Sequence, residues 1–206
     1  MLRVPRICCR ALSLQKPSVR FFSSSQILNN KSSTQHPSHP ELHVHEASKS
    51  SPAPKLRYAI SYVSSADIPA STSLLDHPDL IIGWTPEQFE LNHNSFVENN
   101  SFVQFLTNTL SENIHKVNDP TLKATAQWQK EGWLHIGDER NPPPWGRIPF
   151  PEDIIGTVLV KDGEIQPGTY QAMPTHRIVS PNGVFQLSEP LARCVIEKAR
   201  AKVQSS

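Results

Sequence analysis

The first regular apolar pattern along the chain covers residues 56–63. Alternation there places Tyr58, Ile60 and Tyr62 on one face, which predicts a half-buried strand. Residues 80–84 form a short uninterrupted apolar run, which indicates a second, buried strand. A loop rich in Ser, Asp and Pro separates the two segments, so together they predict the beginning of a sheet.

Helical spacing follows in the middle of the chain. Thr85 with a proline directly after it is a typical helix start, because Thr caps the N-terminus and proline fits the first helical position. We therefore predict a helix over about residues 86–116, weakened by asparagines such as Asn99. A second predicted helix has Asp119 as its cap and ends before Gly132. The apolar residues with helical spacing predict the packed side of the first helix: Phe102, Phe105 or Leu106, Leu110 and Ile114.

After this second helix the pattern changes to strands and turns. Residues 133–136 and 154–160 predict strands, and the second of these is the strongest strand pattern in the chain. Residues 161–164 and 180–183 predict tight turns, since each contains a glycine that can take a positive φ angle. Ser188 begins a predicted terminal helix.

These elements predict an α+β fold, with a small, mainly antiparallel sheet and packed helices, preceded by a disordered N-terminal segment. Strands and helices do not alternate as βαβ units, and no glycine fingerprint of a dinucleotide-binding fold occurs. We predict three parts of the chain: a mitochondrial presequence over residues 1–29, a disordered linker over residues 30–55 and a single α+β domain over residues 56–203.

The charge distribution is the basis for the predicted presequence. The whole chain has a net charge of +1, but residues 1–40 carry six basic residues and no acid. Without residues 1–30, 15 Lys and Arg remain against 19 Asp and Glu, which gives a net charge of −4. An Arg-rich, Ser-containing, acid-free leader is typical of mitochondrial presequences. Residues 20–23, Arg-Phe-Phe-Ser, also resemble the processing site of matrix presequences.

The predicted linker is rich in Ser, Asn, His and Pro, and its scattered apolar residues are too few to build a core of their own. Its clustered histidines and acids are ligand types for Zn²⁺ or Cu²⁺: His36, His39, Glu41, His43, His45 and Glu46. A flexible segment must lose chain entropy to form such a site. We therefore predict neither a metal site nor a cofactor.

Residues 132–156 and a second histidine further along carry the candidate chemistry. A histidine beside carboxylates and an arginine can serve acid–base catalysis or hold an anionic substrate. The candidate catalytic residues are His135, Asp138, Glu139, Arg140 and His176. The alternative is structural: Asp138 caps the turn after Gly137, and the arginines form surface ion pairs. Those pairs would join Arg140 and Arg147 to Glu139, Glu152 or Asp153.

The same segment contains three consecutive prolines. Each proline fixes φ near −65°, so this stretch is predicted to form a short polyproline II rod. An aromatic groove of a partner protein can bind such a rod. The candidate partner-binding residues are Pro142, Pro143, Pro144, Trp145 and Arg147. Alternatively, Trp145 or Trp133 packs on the prolines within the chain and is buried there.

Several function classes receive no support from the sequence. Cys194 is the single cysteine after residue 30, which leaves no partner for an intramolecular disulfide in the predicted mature chain. The acidic body argues against nucleic-acid binding, and neither a Walker nor a Gly-x-Ser-x-Gly motif occurs. No stretch approaches 18 apolar residues, so we predict no transmembrane segment and leave peripheral membrane contact open.

Two hypotheses follow. The first is a soluble mitochondrial protein that acts as a non-enzymatic assembly or interaction factor, in the matrix or at the matrix face of the inner membrane, with a mitochondrial protein as its partner. The second is a small matrix enzyme with an acid/base site around the five candidate catalytic residues. The sequence leaves open whether the protein is an enzyme.

The presequence prediction is testable by import into isolated mitochondria. We expect the wild-type precursor to be shortened, and the double variant Arg20→Ala/Phe22→Ala to remain at, or close to, precursor length, because it lacks the processing residues. Lys16→Ala is a control that removes a charge but keeps the processing residues. If wild type and double variant both run at full precursor length, the prediction is wrong.

Overall fold

Two larger antiparallel sheets, a two-stranded ribbon and three α-helices build the part of the chain that the computed structural model describes, residues 33–47, 51–144 and 147–205. The predicted α+β class is therefore confirmed. The predicted presequence, residues 1–29, lies outside the described residues. No helix in the described ranges is long and apolar enough to span a membrane.

The first sheet has five strands, each antiparallel to its neighbour and in sequence order. Its strands are β1 (Ser33–Gln35), β2 (His43–Glu46), β3 (Tyr58–Ser61), β4 (Ile81–Thr85) and β5 (Val97–Glu98). The predicted alternation holds, because Tyr58, Ile60 and Tyr62 all pack in the main core, whereas Ala59 and Val63 belong to a second cluster on the other face.

The second sheet has β7 at its centre, with β6 on one side and both β8 and β9 on the other. Its strands are β6 (Gly132–Gly137), β7 (Ile154–Lys161), β8 (Glu164–Ile165) and β9 (Gln171–Ala172). A short ribbon follows, made of β10 (Val179–Ser180) and β11 (Gly183–Val184). Both predicted tight turns are present, and positive φ angles occur at Asp162, Gly163 and Gly183.

Three helices complete the described fold: α1 (Asn100–Asn113), α2 (Pro120–Gln129) and α3 (Glu189–Gln204). The predicted packed side of the first helix is confirmed, since Phe102, Leu106 and Leu110 are buried in the main core. Asp119 caps α2 as predicted, with Oδ1 accepting from two backbone N–H groups, while its Oδ2 accepts from the Ser188 hydroxyl just before α3. One carboxylate thus joins the beginnings of two helices.

The predicted helix start at Thr85 is wrong. Thr85 is the last residue of β4, opposite Tyr58 in the ladder, and its hydroxyl donates to the carbonyl of Glu90 instead of capping a helix. Helix α1 begins 15 residues later in the chain, with Asn99 as its N-cap. The Asn99 amide also donates to the carbonyls of Pro78 and Ile81, so a residue that weakens a helix interior fixes the helix start here.

The predicted disordered linker is wrong for residues 33–47, which form β1 and β2. Leu42 and Val44 are buried in the main core, and β2 pairs with β3 along four residues. These apolar residues cannot build a core alone, but here they add to the core that β3 provides. The compact unit therefore begins well before residue 56, and it includes the described residues from Ser33 onwards.

The histidines of this added hairpin predict a loss of stability in acid. Burial, and secondarily the charge of His43, holds the pKa of His45 below its ordinary value of 6.5, although its ring N–H donates to the carbonyl of Val63. Below about pH 6.5 the unfolded chain therefore binds more protons than the folded chain. The stability that a neutral His45 contributes is fully present above that pH and is lost as the pH falls.

We expect the unfolding free energy of wild type to decrease more between about pH 7.5 and about pH 5 than that of His45→Gln, because glutamine keeps an amide donor but does not titrate. Urea unfolding at both pH values measures the difference. Equal decreases in the two proteins would show that His45 does not contribute.

Candidate functional site

Two buried carboxylates meet where β6 and β7 approach the long connection between them. The ladder shifts register between Ile136 and Gly137, and the next residue, Asp138, donates its N–H to the carbonyl of Asp153 at 2.8 Å. Asp153 directly precedes β7. Both carboxyl groups are fully shielded from solvent, so each requires a donor within the protein.

Arg140 lies between these carboxylates. Its Nε donates to Asp153 Oδ1 at 2.8 Å and lies 3.3 Å from Asp138 Oδ2. Its Nη1 donates to the carbonyl of Arg177 and its Nη2 to the carbonyl of Glu152, both at 2.8 Å. The Arg140 side chain is 3% exposed, so each guanidinium nitrogen is used inside the protein. The predicted ion pair between Arg140 and Asp153 is present, but it is buried and not on the surface.

His176 completes a group that we call the buried cluster: Asp138, Arg140, Asp153 and His176. Its Nε2 donates to Asp138 Oδ2 at 3.1 Å, and its ring contacts Phe185 edge-on. Asp138 Oδ1 accepts from the backbone N–H groups of Arg140 and Gln186, at 3.0 and 2.8 Å. Both oxygens of Asp138 are therefore used, and the predicted turn cap after Gly137 is present.

A groove of about 280 Å³ lies beside His176, between α1 and the segment from β9 to residue 178. Its polar rim and apolar walls include Glu98, Thr107, Tyr170, Met173, His176 and Arg177. The carboxylate of Glu98 accepts from the N–H of Ile178 at 2.7 Å, and burial raises the pKa of the Tyr170 hydroxyl. His176, which bonds to the buried carboxylate of Asp138, thus also lines an open groove.

The structure does not bring His135 and Glu139 into this cluster. His135 lies on the face of β6 opposite to the buried Leu134 and Ile136, and no partner among the described residues bonds to its buried Nδ1. Glu139 is exposed, and partial burial of its carboxyl, with the charges of Asp119 and Asp138, raises its pKa. Of the five candidate catalytic residues, three therefore converge.

The described residues of the segment that contains the prolines are exposed or half-buried. We call residues 141–150 the proline loop; Trp145, a candidate for partner binding and for internal packing, lies outside the described residues. Arg147 is exposed, and its backbone N–H donates to the carbonyl of Pro144. Trp133 is 48% exposed, so it is not the buried indole that packing on the prolines requires.

Two exposed apolar residues of this loop did not stand out in the sequence. Ile148 is 70% exposed and Phe150 62% exposed. The buried cluster likewise has a member, Asp153, that the sequence indicated only as a surface ion-pair partner. Its one local signal is its place directly before the strongest strand, β7, which is buried on both faces.

Comparisons with family models, with curated proteins and with solved structures found no match to this chain. In residues 33–47, 51–144 and 147–205, no group of His, Cys, Asp and Glu has an arrangement suited to a metal ion. The function must therefore be inferred from the geometry of the chain's own residues.

The geometry predicts that Arg140 is required for stability. Arg140→Met leaves two carboxylates buried without a cation, and loss of one partner from a buried ion pair costs about 3–5 kcal/mol. Arg193→Met is the matched control, since Arg193 pairs with Glu189 on an exposed helix face, where such a pair contributes about 0–1 kcal/mol. Denaturant unfolding distinguishes the two, and equal costs would contradict a structural role of the cluster.

Proposed function

We propose that the protein is a non-enzymatic interaction or assembly factor of the mitochondrial matrix, and that the proline loop is its partner-binding surface. The observation that carries the proposal is a difference in exposure between two groups of residues. Asp138, Arg140 and Asp153 are buried and lie in contact with each other, whereas Ile148 and Phe150 of the proline loop are exposed.

The buried cluster supports the proposal because it holds both ends of the proline loop. At one end, Asn141 Nδ2 donates to Asp153 Oδ2 at 3.2 Å. Two residues beyond the other end, the carbonyl of Glu152 accepts from Arg140. Prolines within the loop lower the entropy that must be lost when it is ordered. A loop held at both ends by charged hydrogen bonds is preorganised, which reduces the cost of binding a partner.

The exposed side chains indicate the chemistry of the partner. Ile148 and Phe150 lie close together in the chain with Pro149 between them, and the three-proline run comes a few residues earlier. Exposed apolar residues that are close together are typical of binding surfaces. An extended proline-rich segment fits a groove lined by aromatic side chains, with an acidic rim for Arg147. We propose a protein partner with such a groove.

The mitochondrial location is supported by the leader. Residues 1–30 contribute five basic residues and no acid to a chain whose remainder has a net charge of −4. Import machinery recognises a basic, acid-free leader, and an acidic body is compatible with a protein partner rather than a nucleic acid. The import experiment above tests this part of the proposal separately from partner binding.

The groove beside His176 favours a second candidate function, a small matrix enzyme. Asp138 accepts from Nε2 of His176 and so fixes the ring, which leaves Nδ1 as the nitrogen for proton transfer. A substrate in the groove would contact Glu98 and Arg177. In this version Arg140 positions Asp138, and His135 and Glu139 have no role in the chemistry.

We expect the double variant Ile148→Ser/Phe150→Ser to lose its co-purifying partner by on the order of tenfold or more, because the loss of two apolar contacts at an interface weakens binding by at least this factor. Quantitative affinity purification of the tagged protein from mitochondria at native level measures it. Leu75→Ser, at another apolar residue with 41% exposure, is the matched control and should retain the partner.

His176→Gln separates the two candidates. As an interaction factor, the protein should keep its partner in this variant. If the wild type recovers no stable partner, and His176→Gln abolishes the protein's cellular function while the loop variant does not, the enzyme candidate replaces the interaction factor.

A further inference from the structure

Within the described residues, the side of β6 that faces away from β7 is an unpaired sheet edge. Strand β6 pairs with β7 alone among the described strands. Leu159, opposite Trp133 in the ladder, donates its N–H to Thr169 Oγ1 at 3.1 Å, and its carbonyl accepts from the N–H of Gln166 at 2.8 Å. Both peptide groups of Leu159 thus point away from β6. In an antiparallel pair, the peptide groups of two opposite residues either both face the partner strand or both face away from it. The N–H and the carbonyl of Trp133 therefore point away from β7, in the plane of the sheet.

His135 has the same orientation. The N–H of Met173 donates to the carbonyl of Ile155 at 3.1 Å, so Thr157, two residues further along β7, also directs its peptide groups to β9. Thr157 is opposite His135 in the β6–β7 ladder. The N–H and the carbonyl of His135 therefore face outward, and no donor or acceptor in the described residues bonds to them.

One carbonyl on this edge has a partner. The side-chain amide of Gln129 donates to the carbonyl of Trp133 at 3.0 Å. His135 is then the residue of β6 that presents both an unbonded donor and an unbonded acceptor outward. Edge strands of monomeric proteins are usually protected by charged residues or prolines, and β6 contains neither.

We propose that β6 pairs with β6 of a second copy of this chain, antiparallel and across a two-fold axis at His135. In such a pair the residue on the axis is opposite itself. The N–H of each His135 donates to the carbonyl of the other, so two reciprocal hydrogen bonds satisfy all four groups. A self-complementary edge is what a two-fold interface requires.

The side chains fit this register. Two residues from the axis, Trp133 of one copy is opposite Gly137 of the other, where Pro149 lies in the place of a side chain. Pro149 lies 3.2 Å from the position that a Cβ on Gly137 would take. The half-exposed indole would cover Gly137 and Pro149 of the second copy, and aromatic residues opposite glycine stabilise sheet edges in this way.

The charges at the two ends of β6 are compatible with the same symmetry. Lys130 and Glu131 precede the strand, and Glu139 and Arg147 follow it, all exposed. The two-fold operation brings the beginning of one strand to the end of the other. Each end therefore meets a region with one residue of each charge, so the ends can form opposite-charge pairs.

This inference does not depend on the proposed partner of the proline loop, since it needs only a free β6 edge. Sedimentation of the full chain over a wide concentration range tests it. We expect a reversible monomer–dimer equilibrium for the wild type. His135→Pro should weaken the dimer at least about tenfold, because it removes an outward N–H without removing a β6–β7 hydrogen bond. His135→Val keeps this N–H and is the matched control.

A second variant guards against misfolding of the proline variant. Trp133→Ala should also weaken the dimer at least about tenfold, whereas Leu75→Ala, at an exposed apolar residue in another part of the fold, should not. Near-ultraviolet circular dichroism confirms that each variant is folded. The proposal is overturned if the wild type is monomeric up to about 100 μM, a concentration far above the dissociation constant expected of a specific dimer. It is equally overturned if folded Trp133→Ala and His135→Pro dimerise as wild type does.

Discussion

The ion pairs of Arg140 with two buried carboxylates are the interaction on which the rest of the structure depends. Charges without solvent contact are costly unless they are paired, and Asp138 and Asp153 have no solvent contact. Arg140 meets this requirement and also donates to backbone carbonyls. Its position therefore couples segments that are far apart in sequence: the end of β6, residues 152–153, residues 176–178 and residues 183–186.

This coupling changes the interpretation of residues 132–156, whose many reactive side chains indicate a catalytic site when the sequence is taken alone. Charged residues next to prolines are typical of a catalytic loop, yet Asp138, Arg140 and Asp153 are buried here, and Ile148 and Phe150 are exposed. The reversal is physically reasonable. Strong, directional hydrogen bonds hold Asn141 and Glu152, and the exposed Ile148 and Phe150 lie between these two residues in the chain.

The sequence could predict elements whose causes are local. Asp119 before a proline, and glycine in the two tight turns, act through their own backbone neighbours, and each is where the pattern placed it. Thr85, like Asp119, is a capping residue followed by a proline, but the helix start predicted there is wrong. Thr85 pairs with Tyr58 of β3, and the sequence near Thr85 does not indicate this pairing. The β1–β2 hairpin and the pairing of His176 with Asp138 were likewise out of reach, since both depend on contacts with distant parts of the chain.

The donors that Asp138 requires have a consequence for the folding of the domain. His176 and Gln186, which complete its hydrogen bonds, follow Asp138 by 38 and 48 residues along the chain. The carboxylate of Asp119 likewise accepts from the hydroxyl of Ser188, 69 residues further along. Burial of a carboxylate without its donors is costly, so these contacts favour folding of the distant segments together, in one cooperative step.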